Sequence, residues 1–134
     1  MTSAGLTITP LPAASAGASF CASLAIGEFQ GVAFKLARIH VALENARNLV
    51  AKLAWAQRER RLDAQLASVA KLYCAEEAVR AALDAVQIHG GSGYMAEMGL
   101  EKLARDAKMF EIGGGTNEIQ LATIARALLG RAVL

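Results

Sequence analysis

Apolar residues recur every three or four positions from Glu28 onward, which is the spacing of an α-helix with one buried face. The first such stretch predicts a helix from Glu28 to about Glu59. Asp63 is placed to cap a second helix that ends at Gly90. The predicted apolar stripe of the first helix is Phe29, Val32, Leu36, Ile39, Leu43, Ala46, Val50, Leu53 and Ala54. The predicted buried side of the second is Leu66, Val69, Ala70, Tyr73, Val79, Leu83 and Val86.

Two glycine clusters divide the rest of the chain: Gly90-Gly91 with Gly93, and Gly113-Gly114-Gly115. Glycine readily takes the left-handed conformation at a helix end. We therefore predict a short third helix near Glu97 to Phe110. A last helix should be capped by Thr116, run through Leu129 and end at Gly130. The predicted fold is all-α, an incomplete up-down helical bundle.

Length and composition agree with one helical domain. The chain has 134 residues, of which 54% are hydrophobic and only 5% aromatic, so small aliphatic side chains fill the interior. Residues 1–26 are rich in Ala, Ser, Gly and Thr and contain no Lys or Arg, which fits neither a secretory signal nor a mitochondrial presequence. We interpret residues 1–26 as a flexible or misassigned leader and residues 27–134 as the helical domain.

Charge and cysteine usage exclude several classes of function. The net charge is +2 and both signs alternate along the chain, so no basic stripe for nucleic acid is present. No apolar run is long enough to span a membrane. Cys21 and Cys74 form no C-x-x-C pair, which favours a reduced, cytoplasmic protein.

The two histidines do not predict a metal site. A di-iron bundle needs Glu-x-x-His pairs, and neither His40 nor His89 follows a glutamate by three residues. For His89, at a helix end, we favour a structural role over catalysis.

The glycine clusters carry the candidate chemistry. Where one helix ends and another begins, unpaired backbone N–H groups can bind anions, phosphates in particular. Composition alone leaves two ordinary glycine turns open as the alternative.

Four segments in order resemble motifs of the acyl-CoA dehydrogenases. Residues 87–94 (QIHGGSGY) resemble Q-x-x-G-G-x-G-[YF], and residues 101–108 (EKLARDAK) resemble E-[KR]-L-x-R-D-A-K. Residues 114–120 (GGTNEIQ) are similar to [EG]-G-T-[SN]-E-I-Q, and residues 28–37 (EFQGVAFKLA) to E-F-Q-G-V-x-F-K-L-A. The resemblance covers about residues 26–130, the region of the family's C-terminal helical domain.

The resemblance implies an FAD-dependent oxidation of acyl-CoA to trans-2-enoyl-CoA. By position, Gln87, Gly90 and Gly91 would contact FAD, usually across a subunit interface in a homo- or hetero-oligomer. Thr116 and Glu118 would also lie against FAD, with Gly115 near the acyl-CoA thioester. The two glycine bends should then lie near each other and open onto a groove. For Arg105 and Asp106 we expect a structural ion pair.

This chain departs from the family pattern where the proton is removed. Most members carry the catalytic glutamate before the loop glycine, and here that position is Gly114, so we assign no catalytic residue. Isovaleryl-CoA and long-chain dehydrogenases also lack it there and carry the base on an earlier helix. Glu111 is a weaker substitute, since it precedes the loop by several residues.

The family's R-x-x-F-G segment is also missing, with residues 19–23 in its place. We therefore expect part of an acyl-CoA dehydrogenase that is inactive as this chain alone. A non-catalytic oligomerisation module or truncated remnant is the alternative, and a helical bundle unrelated to flavins is a third. The acyl chain specificity is not fixed by these residues.

Overall fold

The computed structural model describes residues 25–130, and the predictions for residues 1–24 and 131–134 lie outside them. A 3₁₀ turn at Ile26–Glu28 precedes α1 (Gln30–Arg58) and α2 (Ala64–His89). Then follow α3 (Gly91–Tyr94), a 3₁₀ turn at Ala96–Met98, α4 (Leu100–Ile112) and α5 (Asn117–Leu129). Residues 25–130 contain helices and no strand, which confirms the all-α prediction.

The helix ends follow the predicted capping residues. The Asp63 carboxylate accepts a hydrogen bond from the Leu66 N–H at 2.6 Å and starts α2. The Thr116 hydroxyl accepts from the Ile119 N–H at 3.4 Å and starts α5. Gly130 ends α5 in the left-handed conformation, with φ 64°. These local contacts confirm the predicted boundaries.

The predicted start of the third helix at Glu97 is wrong by three residues, because a separate turn stands before α4. Residues 96–98 form the 3₁₀ turn, and Gly99 then takes φ 68°, which breaks the helical path. Regular hydrogen bonding therefore begins only at Leu100, and α4 continues to Ile112 rather than ending at Phe110.

α2 is the central helix, and it packs against α1, α4 and α5. Where the helices meet, small side chains let the backbones approach closely. The buried residues are Ala42, Ala56, Ser68, Ala70, Ala75, Gly93, Ala107 and Gln120.

Five of the nine residues in the apolar stripe predicted for α1 are exposed, and the other four are only partly buried. The less exposed positions of α1 repeat with heptad spacing, and two of them, Ala42 and Ala56, are buried. The prediction of burial was wrong for the flank beside this seam, because the contact with α2 covers only a narrow strip. The exposed positions are Phe29, Leu36, Leu43, Val50 and Ala54 on α1, and Leu83 on α2.

Polar contacts fix α1 against α2. Lys35 forms an ion pair with Asp84. The side-chain amide of Asn45 donates to the Tyr73 hydroxyl at 3.1 Å. Both pairs join residues far apart in sequence, so they set the relative position of the two helices.

Candidate cofactor and substrate site

The first glycine bend, residues 87–94, contains the end of α2 and the whole of α3. Gln87, Gly90 and Gly91 are all exposed. An added Cβ at Gly90 or Gly91 would meet nothing within 4 Å, so a ligand could approach the backbone there. The His89 ring nitrogen Nδ1 lies 2.8 Å from the Ala85 carbonyl, a contact that holds the ring against its own helix. This contact fits the structural role predicted for His89.

Gly93 has a role in this bend that the sequence reasoning did not assign. It is buried, and an added Cβ would lie 2.5 Å from the Val86 carbonyl oxygen and 2.9 Å from the His89 Cβ. Only glycine fits so close to the end of α2. The last glycine of the G-G-x-G string was the feature of the sequence that could have indicated this close contact.

The second glycine bend, residues 113–116, joins α4 to α5. Gly114 and Gly115 take φ 66° and 89°, a region that side-chain-bearing residues rarely adopt. Within residues 25–130, the N–H groups of Gly114, Gly115 and Thr116 donate to no backbone carbonyl. Because they also precede a helix N-terminus, they form an electropositive surface suited to an oxyanion or phosphate.

Glu118, on the first turn of α5, is exposed and carries a perturbed carboxyl group. The Thr116 hydroxyl and then the residue's own N–H lower the pKa of the Glu118 carboxyl, with smaller help from Lys108 and Lys71. Lys71 also donates to the Asn117 side-chain oxygen at 3.1 Å, which ties the start of α5 to α2. The carboxylate is thus held ionised beside the second bend.

Gln120 is a second residue that the sequence reasoning missed. It is only 9% exposed. Its amide nitrogen Nε2 donates to the Gly115 carbonyl at 3.1 Å and lies 3.4 Å from the Gly114 carbonyl. The final Gln of the G-G-T-N-E-I-Q string was the available signal.

The two bends do not lie close together within one chain, which corrects the expectation from the sequence. α4 lies between them along the chain, and its 13 residues give it a length of about 20 Å. Lys71, which contacts Asn117, is likewise about 27 Å along α2 from His89. The lengths of α2 and α4 therefore keep the two bends apart.

No side chain at the second bend can act as the predicted family base. Gly114 has none, and Glu111 is ion-paired with Lys108. The Glu111 carboxylate in turn raises the pKa of the Lys108 ammonium group. The ion pair engages the Glu111 carboxylate on α4, which disfavours Glu111 further as the substitute base.

The prediction of an ion pair between Arg105 and Asp106 is wrong, because each residue pairs with a different partner. Arg105 pairs with Glu101 at 2.8 Å and Asp106 pairs with Lys102. Residues four apart face each other on a helix, whereas adjacent ones do not. These pairs cover the solvated side of α4.

Among residues 25–130, no group of histidine, cysteine and acidic side chains could hold a metal ion. No helix in that range has the length and apolar character needed to cross a membrane. Cys74 is half-buried, and burial raises the pKa of its thiol, which lowers its reactivity. Cys21 lies outside the described residues.

Known proteins share both the sequence and the geometry of this chain. The family "Acyl-CoA dehydrogenase, C-terminal domain" matches residues 22–129. The probable acyl-CoA dehydrogenase YngJ of Bacillus subtilis is 50% identical over 104 residues, covering 78% of this chain and 27% of that protein. Butyryl-CoA dehydrogenase from Megasphaera elsdenii superimposes with TM-score 0.77 at 40% identity, covering 80% of this chain and 28% of that one.

A structure described as an FAD complex of PigA aligns with TM-score 0.74 at 33% identity, over 78% of this chain and 27% of that one. The chain thus spans about a quarter of the length of these proteins. Its match to the family over residues 22–129, with the same helical architecture, assigns the chain to the acyl-CoA dehydrogenase family through that family's C-terminal helical domain.

Proposed function

We propose that this chain supplies the C-terminal helical part of an FAD-dependent acyl-CoA dehydrogenase, which oxidises acyl-CoA to trans-2-enoyl-CoA in cytoplasmic fatty acid metabolism. The second bend carries this proposal. There a loop of three glycines and Thr116 presents N–H groups of Gly114, Gly115 and Thr116 that donate to no backbone carbonyl of the described residues, within a string that matches the family. Such a loop can approach a thioester or a phosphate closely.

The residues at the two bends suit FAD. Gly90 and Gly91 leave the backbone open to a pyrophosphate, and the exposed Gln87 amide can both donate to and accept from an adenine or ribose. Thr116 and Glu118 would meet FAD at the other bend. Because Glu118 is ionised, it suits a hydroxyl donor better than a phosphate. Bound FAD would supply the hydride acceptor.

The position of α4, about 20 Å long, between the two bends supports a site shared between chains. The first bend of one chain and the second bend of another could then serve the same FAD. This arrangement requires a homo- or hetero-oligomer, and it agrees with the interface position that the resemblance implies for Gln87, Gly90 and Gly91.

The acyl-CoA thioester would lie at Gly115. As the α-proton leaves, negative charge develops on the thioester oxygen, and fixed N–H groups stabilise that charge. The base must come from another part of the assembled enzyme, because Gly114 offers no proton acceptor. We therefore expect this chain alone to be inactive.

Complementation tests the proposal. The full chain is mixed with the part of Megasphaera elsdenii butyryl-CoA dehydrogenase that precedes the matched region. We expect flavin absorbance that survives desalting for the mixture, and none for either part alone. A mixture that never retains flavin contradicts the proposed cofactor role, and strong retention by this chain alone contradicts its dependence on a partner.

The same mixture tests the missing base. With unchanged Gly114 we expect butyryl-CoA not to bleach the flavin, whereas Gly114→Glu should introduce bleaching. The added Cβ meets nothing within 4 Å, although the φ of 66° makes the substitution strained. Gly114→Gln is the control, because it has the same shape and no proton acceptor of comparable basicity. Equal bleaching by both variants contradicts the assignment of this position.

The exposed apolar flank favours a second candidate, a non-catalytic oligomerisation module. Leu36, Leu43 and Val50 lie on one side of α1 and are 37%, 46% and 57% exposed. Such a stripe tends to find a partner. Size-exclusion chromatography with light scattering should show an oligomer without FAD, and a compact monomer would count against this candidate.

A further inference from the structure

Gln120 contacts the second bend in a way that the family resemblance did not assign. It lies on α5, is 9% exposed, and directs its amide nitrogen at the Gly115 carbonyl and, at longer range, the Gly114 carbonyl. Burying an amide is unfavourable unless its donors are satisfied. Here the loop carbonyls satisfy them, so the side chain and the loop stabilise each other.

Because the peptide bond is planar, the contact of Gln120 with the two carbonyls also sets the direction of the N–H groups that follow them. In a trans peptide the C=O and the following N–H point in opposite directions. The chain has no cis peptide bond among its described residues. When Gln120 holds the Gly114 carbonyl inward, the Gly115 N–H faces outward. The Gly115 carbonyl orients the Thr116 N–H in the same way.

Among the described residues, no other side chain donates to the Gly114 or Gly115 carbonyl. Gly114 and Gly115 have no side chains, and free glycine peptides sample many conformations. The fit with Gln120 is close, because a Cβ added at Gly115 would lie 2.8 Å from the Gln120 nitrogen. A side chain at position 115 would therefore displace the Gln120 amide from the loop.

We propose that Gln120 is a positioning residue, which turns the N–H groups of Gly115 and Thr116 toward the FAD or thioester oxygens that they would bind. This inference rests on the proposed function for the identity of the ligand. The orientation of the loop is a property of the free chain. The orientation of the loop and the identity of its ligand can therefore be tested separately.

The test measures loop order by ¹⁵N relaxation on the full-length chain without ligand. In the unsubstituted protein, the backbone order parameters of Gly114 and Gly115 should match those of the helices, about 0.85. In Gln120→Glu at neutral pH they should fall below about 0.6, because the carboxylate cannot donate to the carbonyls. Gln57→Glu, at an exposed position near the C-terminal end of α1, is the matched control and should leave the order of the loop unchanged.

Acidification provides a rescue that a merely structural defect would not show. A protonated carboxyl group can donate one hydrogen bond, so loop order in Gln120→Glu should return as the pH falls through the pKa of the introduced carboxyl group. Burial should place that pKa above the usual glutamate value of about 4.3. The unsubstituted protein at the same pH values shows whether acid alone changes the loop. Gln120→Met keeps the packing without a donor, should loosen the loop at every pH, and serves if the charged variant does not fold.

FAD titration of the complementation mixture, followed at the Gly115 and Thr116 amide signals of this chain, separates the two claims. We expect shifts in the unsubstituted chain and at least fivefold weaker binding in Gln120→Met. If the loop loosens as stated but FAD shifts neither amide, the positioning role stands and the proposed function of this bend fails. If the loop is as ordered in both Gln120 variants as in the unsubstituted chain, or is disordered in all three, the inference is overturned.

Discussion

At the scale of single residues, contacts at the glycine bends explain why glycine is needed at some positions and only tolerated at others. Gly93 faces the Val86 carbonyl so closely that no Cβ fits. Gly91, two residues earlier, has open space around it. The two glycines share one motif, yet only Gly93 is required by packing, while Gly91 would be needed only for a ligand.

Gly93→Ala should therefore destabilise the chain by about 1–3 kcal/mol, because the overpacked methyl must displace the end of α2. Gly91→Ala is the control and should change stability by less than about 0.5 kcal/mol. Urea unfolding followed by circular dichroism measures both. Equal stability of the two variants would show that the close contact at Gly93 relaxes without cost.

The Glu118 carboxyl provides a pH-dependent prediction. Its pKa is lowered first by the Thr116 hydroxyl, so Thr116→Val should raise that pKa toward its ordinary value. Because the pKa of Glu118 is lower in the folded state, its ionised carboxyl group stabilises the fold at pH values above the unfolded-state pKa of about 4.3. This stabilisation is lost as the pH falls through the lower pKa of the folded state. Thr116→Val should shrink this loss.

Carboxyl ¹³C chemical shifts against pH give the midpoint for Glu118. Glu101 serves as the internal reference, because Arg105, and not Thr116, lowers the pKa of its carboxyl. An unchanged Glu118 midpoint in Thr116→Val would show that the hydroxyl does not stabilise the carboxylate.

At the scale of the helices, boundaries depend on short contacts between neighbours in sequence. Asp63 caps α2 with a bond of 2.6 Å, whereas Thr116 caps α5 with a longer one of 3.4 Å. A negative charge at a helix N-terminus also interacts favourably with the helix dipole. The two caps should therefore differ in strength.

Asp63→Ala should cost about 1 kcal/mol in the free energy of unfolding, and Thr116→Ala should cost less. Asp63→Asn keeps a capping oxygen and should lower the free energy of unfolding by only about a few tenths of a kcal/mol. Thermal and urea unfolding of the three variants compare them directly. A larger loss for Thr116→Ala than for Asp63→Ala would contradict this ranking.

At the scale of the whole molecule, the described helices bury few large side chains. The buried hydrophobic residues are all alanines, while larger apolar side chains on α1, α4 and α5 are exposed. A helix with a wide apolar face normally packs against more than one neighbour. Here α2 covers only the seam of α1, which leaves a flank suited to another chain.

Association through this flank predicts that Leu43→Glu lowers the mass of the particle measured by light scattering. The introduced charge would have to lose its hydration in an apolar contact. Glu44→Gln, at the neighbouring exposed position, is the control and should keep the mass. If the unsubstituted chain is already monomeric, or Leu43→Glu leaves an oligomer intact, this flank is not the interface.

The sequence by itself determined the helices and the family. Asp63, Gly90, Thr116 and Gly130 mark the ends of α2 and α5, because caps act within three or four residues and can be read locally. The four motifs identified the family, which the comparisons confirm. The glycine at position 114, where the resemblance implies the family's catalytic glutamate, is likewise a matter of one residue type.

Only the tertiary structure decided which surfaces are covered and which groups meet. Leu43 and Leu83 are exposed because burial depends on where α2 crosses its neighbours, and a periodic pattern does not specify that. The hydrogen bond from Gln120 to the Gly115 carbonyl likewise follows from the path of the chain in space. Contacts between distant elements depend on helix packing, so hydrophobic spacing alone could not place them.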